Sequence, residues 1–122
     1  LIPQELMDLL ILASELNLTT LVEVHDMDLL LKMRSLIGFP HRRYSLLGIN
    51  NRDLRTQTTD IGTFFRLAEL AEPGTLLVAE SGIKTNHDVQ RLAAAGANAL
   101  LIGETFMKSH DISAKVRELF PG

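Results

Sequence analysis

Four short apolar runs in this chain each lead into residues that can do acid–base, amide or anion chemistry. Glu23 stands near the end of Thr19-Thr20-Leu21-Val22-Glu23-Val24. Asn50, followed by Asn51, Arg52 and Asp53, closes Leu46-Leu47-Gly48-Ile49-Asn50. Glu80, Ser81 and Gly82 follow Thr75-Leu76-Leu77-Val78-Ala79, and Gly103-Glu104 follow Ala99-Leu100-Leu101-Ile102. An inward carboxylate on an apolar strand is costly to bury unless paired or hydrogen-bonded. Glu23 and Glu80 therefore point to acid–base work or a cationic partner, the plainer alternative being strand-end carboxylates that face solvent. Arg52 can hold a carboxylate through two parallel N–H bonds, or pair with Asp53 on the surface. Small residues such as Ser81, Gly82 and Gly103 let backbone N–H groups approach a phosphate, and a following helix N-terminus adds positive potential. The alternative is that both glycines only make tight turns. His25, His41, His87 and His110 share no metal-ligand spacing and read as surface or loop residues. Arg42-Arg43 reads as a solvated pair.

The elements that must position these residues follow from periodicity. Leu6, Leu9, Leu10, Ala13 and Leu16 recur at helical spacing after Pro3, with Asn17 as a stop. This Leu-rich helix reads as core. The β-branched run ending at Val24 is a strand, and Asp26 caps a helix through Leu29, Leu30, Met33 and Leu36. Residues 38–43 form a polar connection. A second strand, 46–50, leads through a polar loop, 51–60, to a helix carrying Phe64, Phe65, Leu67 and Leu70, closed by Pro73-Gly74. A third strand, 75–79, turns at Glu80-Ser81-Gly82 into a helix capped by Thr85 or Asn86 and stopped by Gly96. A fourth strand, 99–102, turns at Gly103-Glu104, and residues 112–120 form the last helix.

One βα unit every 20 to 30 residues implies a parallel sheet with right-handed crossovers. An open doubly wound sheet and half of a TIM (β/α)8 barrel both fit. In the doubly wound case both faces of the central strands should be apolar. Here the alternating set Leu21/Glu23, Leu46/Gly48/Asn50, Leu76/Val78/Glu80 and Ala99/Leu101/Gly103 turns polar or small at its C-terminal end each time. The opposite set, Val22/Val24, Leu47/Ile49, Leu77/Ala79 and Leu100/Ile102, stays apolar. The fold expected is thus α/β: half a barrel, four parallel strands each followed by a helix, with an extra N-terminal helix. In such barrels the active site lies at the C-terminal strand ends.

Composition narrows the classes. The chain has 122 residues, 46% hydrophobic and 22% charged, which excludes pervasive disorder and leaves room for one domain. Twelve Lys and Arg against 15 Asp and Glu argue against a nucleic-acid partner. No apolar run approaches the roughly 18 residues of a membrane span. Cysteine is absent, excluding disulfides and thiol chemistry, and tryptophan is absent, so the core is aliphatic. The N-terminus has neither an initiator Met nor signal-peptide features and runs straight into a helix. A cytoplasmic segment of something longer is expected.

Read in order, Leu21-Val22-Glu23-Val24-His25, Gly48-Ile49-Asn50-Asn51-Arg52-Asp53-Leu54, Ala79-Glu80-Ser81-Gly82-Ile83 and Leu101-Ile102-Gly103-Glu104 resemble the indole-3-glycerol-phosphate synthase family of tryptophan biosynthesis, (β/α)8 lyases. The likeness covers practically the whole chain and aligns it with the fourth helix and the fifth to eighth βα units. It implies ring closure, decarboxylation and dehydration of 1-(2-carboxyphenylamino)-1-deoxyribulose 5-phosphate, without cofactor or metal. By the resemblance, Glu23 assists proton transfer, Asn50 orients the substrate and Glu80 lies near the ribulose hydroxyls. Arg52 lies beside the anthranilate carboxylate, with Leu101 bordering the substrate. Ser81, Gly82, Gly103 and the backbone N–H of Glu104 take the phosphate, or a phosphate or sulfate ion. A phosphate-binding barrel such as phosphoribosylanthranilate isomerase is disfavoured by the Asn50 and Glu80 motifs.

The family's catalytic lysines belong to the first and third strands, which this alignment leaves outside the chain. Lys32, Lys84, Lys108 and Lys115 lie in helices or the turns into them and are no obvious replacements. The 122 residues alone are therefore expected to be inactive, since general acid–base assistance is typically worth 10²- to 10⁴-fold. The inward set Leu21, Leu46, Leu76, Val78 and Leu101 would face water and two strand edges would be unpaired. Self-association into a homodimer or higher oligomer is expected. A non-catalytic, self-associating half-barrel module with a residual anion site is the alternative.

Overall fold

A computed structural model describes residues 3–34, 36, 45–53 and 55–121. Helix α1 (Pro3–Glu15) precedes β1 (Thr20–Val24), α2 (Met27–Met33) and β2 (Ser45–Asn50). Short strands β3 (Arg52–Asp53) and β4 (Thr58–Thr59) lead to α3 (Gly62–Ala68) and β5 (Leu77–Glu80). Helix α4 (Asn86–Ala94), β6 (Ala99–Leu101), α5 (Glu104–Met107) and α6 (Ile112–Leu119) complete the chain. Strands β1, β2, β5 and β6 form one parallel sheet in that order. The order follows the chain without reversal, so there is no topological switch point of the doubly wound kind. This is half a TIM barrel with an N-terminal helix.

The two alternating residue sets separate as their polarity requires. Val24, Leu47, Ile49, Leu77 and Ala79 are buried with Leu30, Phe64, Leu67 and Leu92 of the helices in one cluster. On the opposite face Leu21, Leu76 and Leu101 remain 41%, 40% and 51% exposed. Val78 is buried on that face and Leu46 half-buried, so only part of the inward set meets water. Strands β1 and β6 are the sheet edges.

Local chemistry sets the element ends. Asn17 takes a left-handed conformation after α1, with φ 58°. The Asp26 side chain accepts from Leu29 N at 2.8 Å to start α2. Thr85 caps α4 in a reciprocal box with Asp88, a device typically worth about 1 kcal/mol. Gly96, at φ 107°, ends that helix.

The structure corrects several expectations. The polar stretch 51–60 contains the antiparallel pair β3–β4. Helix α3 ends at Ala68, ahead of Pro73-Gly74. Glu80 belongs to β5, and its turn begins at Ser81. Glu104 opens the short helix α5. Among the described side chains of α1, Leu6 and Leu10 alone are buried, against Met33, while Leu9, Leu12 and, just past the helix, Leu16 are at least half exposed. That helix is core on one stripe alone. His25 lies in the loop between β1 and α2, as expected, and is partly buried there, its Nδ1 3.3 Å from Asp26 Oδ2. The 38–43 connection, with His41, Arg42 and Arg43, lies outside the described residues.

Candidate functional site at the strand ends

Register brings the expected residues into two rows. Asn50 stands opposite Glu80, and Glu80 opposite Leu101. One row lower, Glu23 stands opposite Gly48, which stands opposite Val78. A cleft of about 1110 Å³ opens over these ends. Of the expected site residues it is lined by Asn50, Arg52, Glu80, Ser81, Gly82, Leu101, Gly103 and Glu104. Glu23 is not in its wall but meets Glu80 from β1.

Glu80 is 3% exposed, and its Oε2 has no hydrogen-bond partner among the described residues. The group facing it is the Glu23 side chain, another acceptor, so a hydrogen bond between them requires that one carry a proton. Burial, then the hydrogen bond to and charge of Glu23, push the Glu80 carboxyl up to about 8. Asn50 Oδ1 accepts from Ser81 Oγ at 2.8 Å and from Arg52 N at 3.0 Å. These bonds fix the amide with Nδ2 left as its donor end.

Arg52 does not pair with Asp53. Its guanidinium bonds the Glu104 carboxylate across the cleft and Thr59 Oγ1 at 3.3 Å. Asp53 instead meets Arg55 at 3.6 Å, and backbone hydrogen bonding from Arg55 leads the causes that lower its carboxyl. Lys108 bonds Glu104 Oε1 at 2.7 Å, and this contact, ahead of Arg52, holds the Glu104 carboxyl below its usual range. The Glu104 side chain is thus committed to two cations, leaving its backbone as the part free for an anion.

Ser81 and Gly82 are both left-handed, with φ 68° and 75°. A Cβ on Gly82 would lie 2.9 Å from Thr59 Cγ2, so its turn and packing alone require glycine. Around Gly103, chain neighbours aside, none of the described residues lies within 4 Å of such an atom, so packing there does not.

Two kinds of residue escaped the sequence reading. Asn51 is 2% exposed and braces the site. Its Nδ2 donates to Ser81 O at 3.0 Å, and its Oδ1 accepts from Phe64 N at 2.9 Å. Lys84, Lys108 and Lys115, with His110 and Asp111, line the outer cleft. Lys84 follows the Ser81 turn directly, whereas Lys108, His110, Asp111 and Lys115 gave no signal because only the packing of α5 and α6 brings them over the strand ends.

Comparison with known proteins gives the lineage of this arrangement. The family model of indole-3-glycerol phosphate synthase matches residues 1–119. The chain belongs to the indole-3-glycerol phosphate synthase family. Two curated synthases, from Dehalococcoides mccartyi strains 195 and CBDB1, are each 39% identical to it over 120 residues. In both cases the match covers 96% of this chain and 43% of the relative. The chain therefore spans less than half the length of these synthases, consistent with a C-terminal fragment. Among the described residues no helix is long and apolar enough to cross a membrane.

Proposed function

We propose that this chain is the substrate- and phosphate-binding half of an indole-3-glycerol phosphate synthase, acting on 1-(2-carboxyphenylamino)-1-deoxyribulose 5-phosphate. The observation that carries the reading is the convergence of Asn50, Arg52, Glu80, Ser81, Leu101 and Gly103 on one cleft at the strand ends. The donor end of Asn50 orients the ribulose part, and Glu80 with Glu23 holds and passes a proton at the cleft floor. Arg52 grips the anthranilate carboxylate, bordered by Leu101, once Glu104 yields one of its contacts. The backbone N–H groups around Ser81, Gly82, Gly103 and Glu104 take the phosphate.

Ring closure needs a cationic acid facing the carbonyl. The resemblance places that lysine on strands outside these 122 residues. Turnover is therefore expected only when a polypeptide carrying the first four βα units is supplied, and the 122 residues alone should show none. Formation of indole-3-glycerol phosphate at family rates by the chain alone would refute the incompleteness. A reconstituted barrel without activity would refute the assignment.

A second reading, a non-catalytic, self-associating half-barrel with an anion site, is favoured by the exposed Leu21, Leu76 and Leu101 beside two open strand edges. Static light scattering at micromolar concentration tests it. A stable monomer would count against self-association.

A further inference from the structure

Gly48 occupies the interior of β2, where glycine is disfavoured relative to alanine and often marks a close approach. Its φ is not among the positive values, so backbone freedom does not explain it. The neighbourhood does. A Cβ built on Gly48 would overlap Glu80 Oε2, lie 3.2 Å from Glu80 Cδ and 3.0 Å from Leu21 Cδ1. All three are side-chain ends from the flanking strands. Gly48 stands between Glu23 on β1 and Val78 on β5, one row below Glu80. The Glu80 side chain must therefore run diagonally over β2, through the space a side chain at 48 would fill, to meet Glu23.

We infer that Gly48 is a positioning residue: its missing side chain opens the gap over β2 through which the Glu80 carboxyl reaches Glu23, so that the two carboxyls share one proton. The pair sets a carboxylic acid donor beside a carboxylate acceptor on neighbouring strands, the arrangement that general acid–base chemistry requires. Among the described residues, the charge acting on the Glu80 carboxyl is that of Glu23. Glu23 is the charged group facing Glu80 from β1, while β2 and β6 offer Asn50 and Leu101. Of the cations lining the cleft, Arg52 and Lys108 are engaged by Glu104 and Lys115 by Glu118, and Lys84 lines it as well. The inference deepens the site of the proposed function but concerns the chain without substrate. It stands or falls separately from catalysis.

The test is a carbon-13 NMR titration of the glutamate side-chain carboxyls in the 122-residue chain and its variants. In the unaltered chain, Glu80 should titrate well above the ordinary carboxylate range. In Gly48→Ala its proton affinity should fall at least tenfold with the far-ultraviolet circular dichroism unchanged, and Glu23→Gln should lower it similarly. A second measurement guards against loss of folding in Gly48→Ala. In a Glu80→Ala background only the Leu21 side-chain end, 3.0 Å from the new Cβ, remains to give way, so adding Gly48→Ala should lower Tm much less than it does in the unaltered chain. A Gly48→Ala chain whose Glu80 titration is unaltered would overturn the inference. So would a fall in Tm on adding Gly48→Ala to Glu80→Ala as large as the fall in the unaltered chain.

Discussion

Replacing Asn51 by Asp changes one NH2 group for an oxygen at the brace that holds the site's main turn. The Oδ1 bond from Phe64 N, at 2.9 Å, can persist. The second oxygen, however, would face the Ser81 carbonyl that Nδ2 now serves at 3.0 Å, setting acceptor against acceptor. At 2% exposure the new carboxylate is also desolvated. Asn51→Ala is the reference: it forfeits two hydrogen bonds at about 1 kcal/mol each plus a small cavity, for a loss of about 2 to 3 kcal/mol. Phe64 N retains a bond to Ile61 O at 3.2 Å, which limits that cost. The charged aspartate should cost about 1 kcal/mol more than alanine at pH 7. Burial raises its folded pKa above the unfolded value of about 3.9. The aspartate variant's stability relative to the unaltered chain should therefore be greatest near and below pH 4, where the protonated acid can donate to Ser81 O, and fall as pH rises. Urea unfolding followed by circular dichroism at pH 4.5 and pH 7 reads both quantities. An aspartate variant more stable than the alanine variant at pH 7, or with a pH-independent deficit, would refute the role assigned to the brace.

The Glu80 carboxyl, pushed from 4.5 to about 8, binds its proton more tightly folded than unfolded. The stability it lends is full below about pH 4.5 and is lost as pH rises toward 8, with a slope of at most about 1.4 kcal/mol per pH unit. Glu80→Gln should flatten that slope in urea titrations, and an unchanged slope would count against it. Gly82→Ala, at φ 75° and 2.9 Å from Thr59, should cost about 1 to 3 kcal/mol. Gly103→Ala, at a negative φ and in open space, should cost less than Gly82→Ala, within about 1 kcal/mol by thermal unfolding. Equal losses at both glycines would contradict the packing argument. Leu76→Lys on the open sheet face should weaken self-association at least tenfold by light scattering, and undiminished association would place the contact elsewhere.

The alternation of strands and helices, the caps at Asp26 and Thr85 and the stops at Asn17 and Gly96 were legible because each is written in residues a few positions apart. The polarity of the two strand faces was legible too, since alternation along a strand is a local property, and with it the half barrel and the line of candidate residues at the strand ends. Tertiary structure decided what those residues do to one another. Parallel register set Asn50 against Glu80, and a glycine two residues before Asn50 allowed Glu80 to cross toward Glu23. Arg52 found Glu104, 52 positions away, instead of the adjacent Asp53. Asn51, which reads in sequence as one more polar loop residue, became the buried brace of the Ser81 turn. Such contacts depend on register and on side-chain length across strands, and neither periodicity nor propensity carries that information.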